Sequence, residues 1–228
     1  MTAAAAPRHK YVALLALLLA SVAIQSFDAR EGGEGLISNA FRIVLGVAIL
    51  FVVFERRRER IGMALIIAAS VVVAAARSVA AARLDYALAV AFHALLALYM
   101  WSAVWVILRD LFRTPASGAE NVFGAICGYL IAGDAWAGVN AIAWLLVPAS
   151  FSISPDVVPL LADWHGRQAL FSYYGFTQML TIGYADVTPV RAPATTLSLF
   201  AALFGLFYTA VVVSQFVGLA QSGRREQR

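Results

Sequence analysis

Long apolar runs separated by short polar intervals dominate the chain, and within each run the apolar residues follow one another without alternation. A helix needs about 20 apolar residues to cross a bilayer, and six runs reach or approach that length. They are Tyr11 to Phe27, Leu36 to Phe54, Ile61 to Ala82, Tyr86 to Leu108, Val122 to Val147, and Pro193 to Leu219. Continuous runs favour helices over the alternating strands of a membrane barrel. The pattern therefore predicts an all-α integral membrane protein with six transmembrane helices.

Composition agrees with a membrane location and excludes several classes of protein. Apolar residues make up 62% of the chain and charged residues 13%, whereas a soluble domain carries about a quarter charged residues. The single cysteine, Cys127, rules out an internal disulfide. The histidines at positions 9, 93 and 165 are scattered and suggest no convergent set of catalytic or metal-ligating side chains. We expect neither an enzyme nor a bound cofactor.

The distribution of basic residues predicts an inner (plasma) membrane protein with both termini cytoplasmic. Basic residues are enriched in the intervals that this orientation places inside, as the positive-inside rule requires. Those residues are Arg8, Lys10, Arg56, Arg57, Arg58, Arg60, Arg109, Arg113, Arg224, Arg225 and Arg228, whereas the outer intervals hold Arg30, Arg77, Arg83, Arg167 and Arg191. Because the net charge of +4 comes from residues at the ends of apolar runs, we expect no nucleic-acid partner.

Two basic segments have a second interpretation. The first apolar run follows two basic residues, so a signal peptide with small residues near Ala23 is an alternative to a first membrane helix. Its removal would leave the direction of the other helices unchanged. The cluster of Arg56, Arg57 and Arg58 is interpreted first as a determinant of membrane topology. In the second interpretation it binds anionic lipid headgroups.

One short motif between the fifth and sixth apolar runs carries the predicted chemistry. The motif is Thr181-Ile182-Gly183-Tyr184-Ala185-Asp186. Its side chains offer little reactivity, but its backbone is suited to present a file of carbonyl oxygens, which can replace the hydration shell of an alkali cation. Gly183 suits a backbone that visits conformations closed to other residues.

This motif and its surroundings resemble the pore loop of potassium channels, whose usual form is T-V-G-Y-G-D. The resemblance rests on an aromatic pair, a short helix, the TIGYAD motif and V-T-P between two apolar runs, and it extends from Asn121 to Gly218. It implies that Ala169 to Leu180 forms a pore helix that dips into the membrane without crossing it. The chain then returns outward, extended, through Thr181 to Tyr184. One loop supplies only one wall of a pore, so the resemblance also implies a homotetramer with four-fold symmetry.

The resemblance assigns roles to individual residues. The carbonyls implied to bind potassium, the permeant ion, belong to Thr181, Ile182, Gly183 and Tyr184, and Ala185 ends the filter. Tyr173 and Tyr174 stand where many channels carry a tryptophan pair that supports the filter, and Asp186 stands at its outer end. Gly205 stands where the family often has a hinge glycine in the inner helix, and close packing of a small residue is the alternative.

Ala185 departs from the family, which has its second glycine at this position. If the family backbone is retained, Ala185 has a positive φ, at a cost of roughly 1–2 kcal/mol per subunit. A potassium-selective channel is the leading prediction. The departure leaves two alternatives open, a weakly selective cation channel and a non-conducting membrane scaffold related to channels.

The chain is predicted to divide into a four-helix N-terminal region, residues 1–115, and a pore module, residues 116–228. The fourth run, Tyr86 to Leu108, contains no arginine or lysine, so the N-terminal region is not a voltage sensor. Asp134 is an acid deep in the fifth run, and such residues are functional hypotheses by default. A pH-sensing role, with Asp134 paired to His93, is one hypothesis, and a structural hydrogen bond to a neighbouring helix is the other.

Overall fold

The computed structural model describes residues 10–31, 36–77, 79–113, 119–161 and 164–226. Helices dominate this part of the chain, and they are α1 (Lys10–Glu31), α2 (Leu36–Val53), α3 (Arg57–Arg77), α4 (Ala82–Arg113), α5 (Ala119–Leu146), α6 (Trp164–Met179) and α7 (Ala192–Glu226). Two short strands, β1 (Phe151–Ile153) and β2 (Val187–Pro189), and a 3-10 helix (Val158–Leu161) lie close to α6 in the chain. Apart from this small sheet, the predicted helical architecture is confirmed for the described residues.

Four segments of these helices are long and apolar enough to cross a membrane. Within the described residues they are Arg57–Arg77, Leu84–Arg113, Glu120–Leu146 and Ala192–Ser214. The apolar parts of the first two helices, Lys10–Ile24 and Ala40–Val53, are shorter. Each predicted membrane run thus lies mainly on one helix, but the third run, Ile61 to Ala82, is too long at its end, because α3 stops at Arg77. The last four meet the requirement for spanning, and membrane crossing by α1 and α2 stays a prediction.

Helix α6 begins at Trp164, whereas the resemblance placed the start of the pore helix at Ala169. Helix α6 approaches the 3-10 helix closely near its start. A Cβ atom at Gly166 would lie 2.2 Å from the carbonyl oxygen of Leu160, so this approach requires glycine. Glycine lowers intrinsic helix propensity, so the sequence pattern does not predict the first turn of α6.

Strands β1 and β2 pair in antiparallel fashion although α6 separates them in the chain. Phe151 lies opposite Pro189, and Ile153 lies opposite Val187. Strand β2 directly follows the TIGYAD motif, and β1 follows the end of α5. Phe151 is buried, with its ring 5.6 Å from that of Phe171 on α6. The sheet therefore joins the segment after the motif to the end of α5.

Helix α1 belongs to the hydrophobic core that the N-terminal helices share with α5. Leu14 and Leu18 of α1 are fully buried in this core. The ring of Tyr11 covers Gly124 of α5, where an added Cβ atom would lie 3.2 Å from the ring. The described helices of the N-terminal region are consequently packed directly against the predicted pore module, and loss of α1 would expose apolar surface on α5.

Charged residues join several helices at the end of the bundle where α1 begins. Lys10 pairs with Glu55, and Arg109 of α4 pairs with Glu59 of α3 at 3.0 Å. The main-chain N–H of Tyr11 donates to Glu120 at 2.7 Å. These contacts hold the start of α1 against the start of α5.

The basic cluster predicted to face lipid lies at this same end. Arg56, Arg57 and Arg58 are exposed around the start of α3. Arg56 approaches Glu59 at 3.9 Å, and its side chain is 68% exposed. An exposed ion pair of this kind contributes little to stability, so the three side chains are accessible for other contacts.

Helix α6 packs between α5 and α7. Phe171 is fully buried in a core with Ala137 of α5 and Ala194 of α7. Helices α5 and α6 approach through glycines, since a Cβ atom at Gly175 would lie 2.7 Å from the carbonyl oxygen of Gly133. This packing fixes the position of the helix that precedes the TIGYAD motif.

Candidate functional site

Helix α6 ends in a hydrogen-bonded cap from which the motif begins. The N–H of Ile182 donates to the carbonyl of Thr177 at 2.9 Å, and the N–H of Thr181 donates to the carbonyl of Gln178 at 3.0 Å. This pair of bonds is the Schellman arrangement, which places the residue after the helix in the left-handed region. That residue is Thr181, with φ 56°, an uncommon conformation for a β-branched side chain.

The sign of φ alternates along the motif. Thr181, Gly183 and Ala185 have φ values of 56°, 67° and 66°, whereas Ile182 and Tyr184 between them are not in the left-handed region. The positive φ expected at Ala185 is therefore confirmed. The extended backbone predicted for Thr181 to Tyr184 is wrong at Thr181, where the helix cap imposes a left-handed residue, and at Gly183, where glycine permits a positive φ.

The motif is exposed in the single chain. Residues 180–185 are all exposed, with Ile182 at 46% and Tyr184 at 62%. Helix α7 also presents large apolar side chains at its surface, among them Phe200, Leu206 and Phe207. Exposed apolar surface of this extent is typical of a membrane or protein contact.

Tyr173 and Asp186, predicted to support the filter, meet in the structure. The hydroxyl of Tyr173 donates to Asp186 Oδ2 at 2.8 Å. Its ring stacks on that of Tyr184, with centroids 6.1 Å apart and planes 9° from parallel. Burial, the hydrogen bond to Asp186 and the charge of that carboxylate raise the pKa of the Tyr173 phenol to about 12. The Tyr173 phenol is therefore protonated and donates its hydrogen bond at neutral pH. This one side chain of α6 contacts both Tyr184 and Asp186.

Tyr174 belongs to a polar network that joins α6 to α7 and α5. Ser198 Oγ of α7 donates to the carbonyl of Ala194, so the Tyr174 hydroxyl is the donor in its 2.9 Å bond to Ser198. Gln178 Nε2 donates to the same Ser198 oxygen at 2.6 Å, and Asn140 Nδ2 of α5 donates to Gln178 Oε1 at 3.2 Å. The sequence analysis missed this network. The sequence hint to this network is Asn140, an amide within the apolar run Val122 to Val147.

Asp134 contacts the helix that precedes the motif. Ser172 Oγ of α6 donates to Asp134 Oδ1 at 2.6 Å, and Arg42 of α2 acts on Asp134 electrostatically. The pairing with His93 considered above is not formed. Within the described residues His93 Nδ1 has no hydrogen-bond partner, and the His93 ring contacts that of Phe92. The geometry matches the alternative prediction of a hydrogen bond between helices.

Gly205 lies where α7 passes the end of α6. A Cβ atom at this position would lie 2.2 Å from the carbonyl oxygen of Met179 and 2.8 Å from its carbonyl carbon. Helix α7 continues without interruption through Gly205. One helical turn further, the Tyr208 hydroxyl donates to the carbonyl of Ala125 on α5 at 2.7 Å. These contacts support the packing role for Gly205 that stood as the alternative to a hinge.

Metal coordination by side chains has no support in the described residues, where no group of three or more His, Cys, Asp or Glu side chains is placed to hold a metal ion. Apart from the half-buried Asp186 carboxylate, which accepts from Tyr173, the polar groups of the TIGYAD motif are those of its backbone and the hydroxyls of Thr181 and Tyr184. The Thr181 hydroxyl donates to the carbonyl of Leu180 at 2.7 Å. An ion bound at this motif would therefore be held mainly by peptide oxygens.

Comparison with known families agrees with this site. Residues 158–222 match the family model described as Ion channel, a family of two-helix potassium-channel pores. The match covers α6, the TIGYAD motif, β2 and most of α7, and it confirms the resemblance to the potassium-channel pore-loop family. No curated protein and no solved structure matches the chain. The protein is a membrane protein that carries an ion-channel domain.

Proposed function

We propose that four copies of the chain assemble around one axis and pass potassium ions down their electrochemical gradient. The filter is the backbone of Thr181 to Tyr184, with Ala185 at its outer end and with Tyr173 and Asp186 behind it. No bond is made or broken in this process. The ion-channel match over residues 158–222 supports the class of function, and the backbone of the motif supports the nature of the filter.

The alternating sign of φ is the observation that carries the proposal. In a uniform strand, successive carbonyls point to opposite sides. A positive φ at every second residue breaks this pattern, and it can turn successive carbonyls to one side of the chain and the N–H groups to the other. We infer that the φ values at Thr181, Gly183 and Ala185 turn the motif carbonyls towards one side. A file of such oxygens can replace the water around a potassium ion.

We propose four chains because a single chain cannot enclose a pore. One loop forms one wall of a pore, and the motif is exposed in the single chain. The carboxyl end of α6 carries the negative end of a helix dipole, and four such ends around an axis would favour a cation beneath the filter. The apolar surface of α7 would then pack against neighbouring chains or lipid.

Ala185 also favours a second candidate function. An alanine at φ 66° costs about 1–2 kcal/mol relative to an ordinary conformation, and four copies could relax the outer filter. A relaxed filter would pass cations with little selectivity, and a collapsed filter would leave a non-conducting scaffold. The intact Thr181 to Tyr184 segment favours potassium selectivity.

Purified protein in planar bilayers tests the proposal. With potassium and sodium in opposite gradients, we expect single-channel currents that reverse close to the potassium equilibrium potential, because the filter carbonyls replace the hydration shell of potassium. Reversal between the two equilibrium potentials would assign the weakly selective alternative. Absence of current from a protein that is a strict monomer would contradict the proposal.

Asp134 is proposed as a pH-sensitive element of the channel, since it holds α6 through Ser172, the residue next to Tyr173. Protonation of Asp134 would weaken this bond and alter the support of the filter. We expect Asp134→Asn to abolish the pH dependence of the currents. Ser172→Ala removes the same hydrogen bond but keeps the titratable group, so it should also abolish the pH dependence if protonation acts through this bond. An unchanged pH dependence in Asp134→Asn would refute this role.

The orientation and the lipid contacts remain proposals of the same kind. We propose that both termini are cytoplasmic, which places the exposed Arg56, Arg57 and Arg58 at the inner leaflet, where anionic headgroups attract basic side chains. Replacement of the three arginines by glutamine should weaken the retention of anionic lipid through detergent washes. Equal retention by both proteins would contradict the lipid contact.

A further inference from the structure

We propose that strand β1 is a strap that holds the outer end of the filter in its left-handed conformation and so replaces the conformational freedom of a glycine at Ala185. The inference rests on the proposed function and concerns the residues that position the filter. It assigns a role to the segment between α5 and α6, for which the sequence suggested none.

The strap contacts the filter through backbone hydrogen bonds just after Ala185. The N–H of Ser154 donates to the carbonyl of Asp186 at 2.8 Å, and Ile153 pairs with Val187. Tyr173 holds the Asp186 side chain from the other direction. Asp186 is thus bound through its backbone to Ser154, the residue after β1, and through its carboxylate to α6, so both of its attachments lie outside the filter.

The other end of the strap is anchored in the protein core. Ser150 is fully buried, its hydroxyl donates to the carbonyl of Ala143 on α5, and its own carbonyl accepts the N–H of Val190 at 2.9 Å. The ring of Phe151 lies 5.6 Å from the rings of both Phe171 and Tyr174. Strand β1 is therefore fixed to α5 and α6 before it meets the filter segment.

Such anchoring matters because a strained residue persists only where its surroundings determine its conformation. Ala185 has φ 66°, the next residue, Asp186, accepts the N–H of Ser154, and the following strand β2 pairs with β1. Rotation of Ala185 to a negative φ would move the carbonyl of Asp186 away from the N–H of Ser154. The hydrogen bond to Ser154 therefore favours the left-handed state of Ala185 over the alternatives.

Removal of one N–H group tests the strap. Ser154→Pro deletes the donor to Asp186, because proline has no N–H, and its ring Cδ also displaces the Asp186 carbonyl from its 2.8 Å contact. Ser154→Ala is the matched control, since it changes the side chain but keeps the N–H. We expect Ser154→Pro to lower the steady-state potassium current, or the potassium-to-sodium permeability ratio, by about tenfold relative to Ser154→Ala.

The double variant Ser154→Pro with Ala185→Gly tests whether the strap acts by holding Ala185 at a positive φ. Glycine adopts a positive φ without strain, so we expect the second change to restore the current to within about twofold of Ser154→Ala. Recovery would support the strap. Equal currents in Ser154→Pro and Ser154→Ala, or a loss that Ala185→Gly does not reverse, would overturn it.

A variant that keeps every main-chain bond covers the case in which Ser154→Pro does not fold. Phe151→Leu loosens the anchor of β1 against Phe171 and Tyr174, and we expect it to lower the permeability ratio in the same direction, again with rescue by Ala185→Gly. An unchanged ratio in a tetrameric Phe151→Leu protein would overturn the strap. Absence of current in the unmodified protein would instead refute the proposed function, so the two failures are distinguishable.

Discussion

Gly205→Ala is expected to destabilise the folded protein severely. The added Cβ atom would lie 2.2 Å from the carbonyl oxygen of Met179, a backbone atom at the end of α6 that cannot rotate away. Overpacking of a tight contact typically costs 1–3 kcal/mol, and we expect a loss of about 3 kcal/mol per chain because the partner is backbone. The measurement is the thermal unfolding midpoint of the detergent-solubilised protein, followed by the recovery of folded protein after heating.

Gly62→Ala is the matched control for this prediction. Gly62 also lies in a helix, α3, but an added Cβ atom there meets nothing within 4 Å. Alanine is the better helix former by about 1 kcal/mol, so Gly62→Ala should leave the midpoint unchanged or raise it. The comparison separates a packing effect from the general effect of replacing glycine.

The same pair of variants distinguishes packing from hinge motion at Gly205. A hinge glycine contributes through flexibility of α7, so its replacement would change the open probability while the unfolding midpoint stays where it was. A packing glycine has the opposite signature, with a lower midpoint in Gly205→Ala whatever the state of the channel. An unchanged midpoint together with altered gating would restore the hinge interpretation.

The helices of this protein could be predicted from sequence because lipid imposes their length. The run Val122 to Val147 and the helix Ala119–Leu146 differ only at their ends, since any apolar segment of that length must satisfy its backbone internally. The start of α6 could not be predicted in this way. Its first turn contains Gly166 and depends on contact with Leu160, which a periodic pattern does not reveal.

The structural features that surround the filter could not be predicted from the sequence for a related reason. Strand β1 is three residues long, and its partner lies beyond α6, so Phe151 and Pro189 meet only in the folded chain. The left-handed Thr181 lacks the usual signal, because helix caps of this kind normally carry glycine. In contrast, the positive φ of Ala185 followed from the resemblance alone, since the backbone it implies demands a left-handed residue there.

The contacts between helices were also beyond the reach of residue patterns. Asn140, Gln178 and Ser198 come from three different helices. None of them alone indicates its partners in the network. Their bonds depend on how α5, α6 and α7 cross. The pairing of Asp134 with Ser172 rather than His93 depends on the same crossing geometry. The sequence identified Asp134 in the second case but none of the three residues in the first, and only packing could supply the partners.

Gly183→Ala and Ala185→Gly are expected to change the proposed filter in opposite directions. Both residues have almost the same φ, 67° and 66°, so one substitution introduces the left-handed strain that the other removes. The cost of alanine in this region is about 1–2 kcal/mol, or about 4–8 kcal/mol over the four chains of the proposed pore. A Cβ atom at Gly183 meets nothing within 4 Å in the single chain, which leaves the backbone as the source of the effect.

We therefore expect Gly183→Ala to abolish selective potassium current and Ala185→Gly to raise the open probability or the potassium-to-sodium permeability ratio. The measurement is the current in planar bilayers under opposed potassium and sodium gradients, with tetramer content checked on the same samples. Changes in the same direction in both variants would contradict a filter controlled by the handedness of these two residues. Opposite changes would tie ion selectivity to backbone conformation, because neither substitution adds or removes a polar side chain.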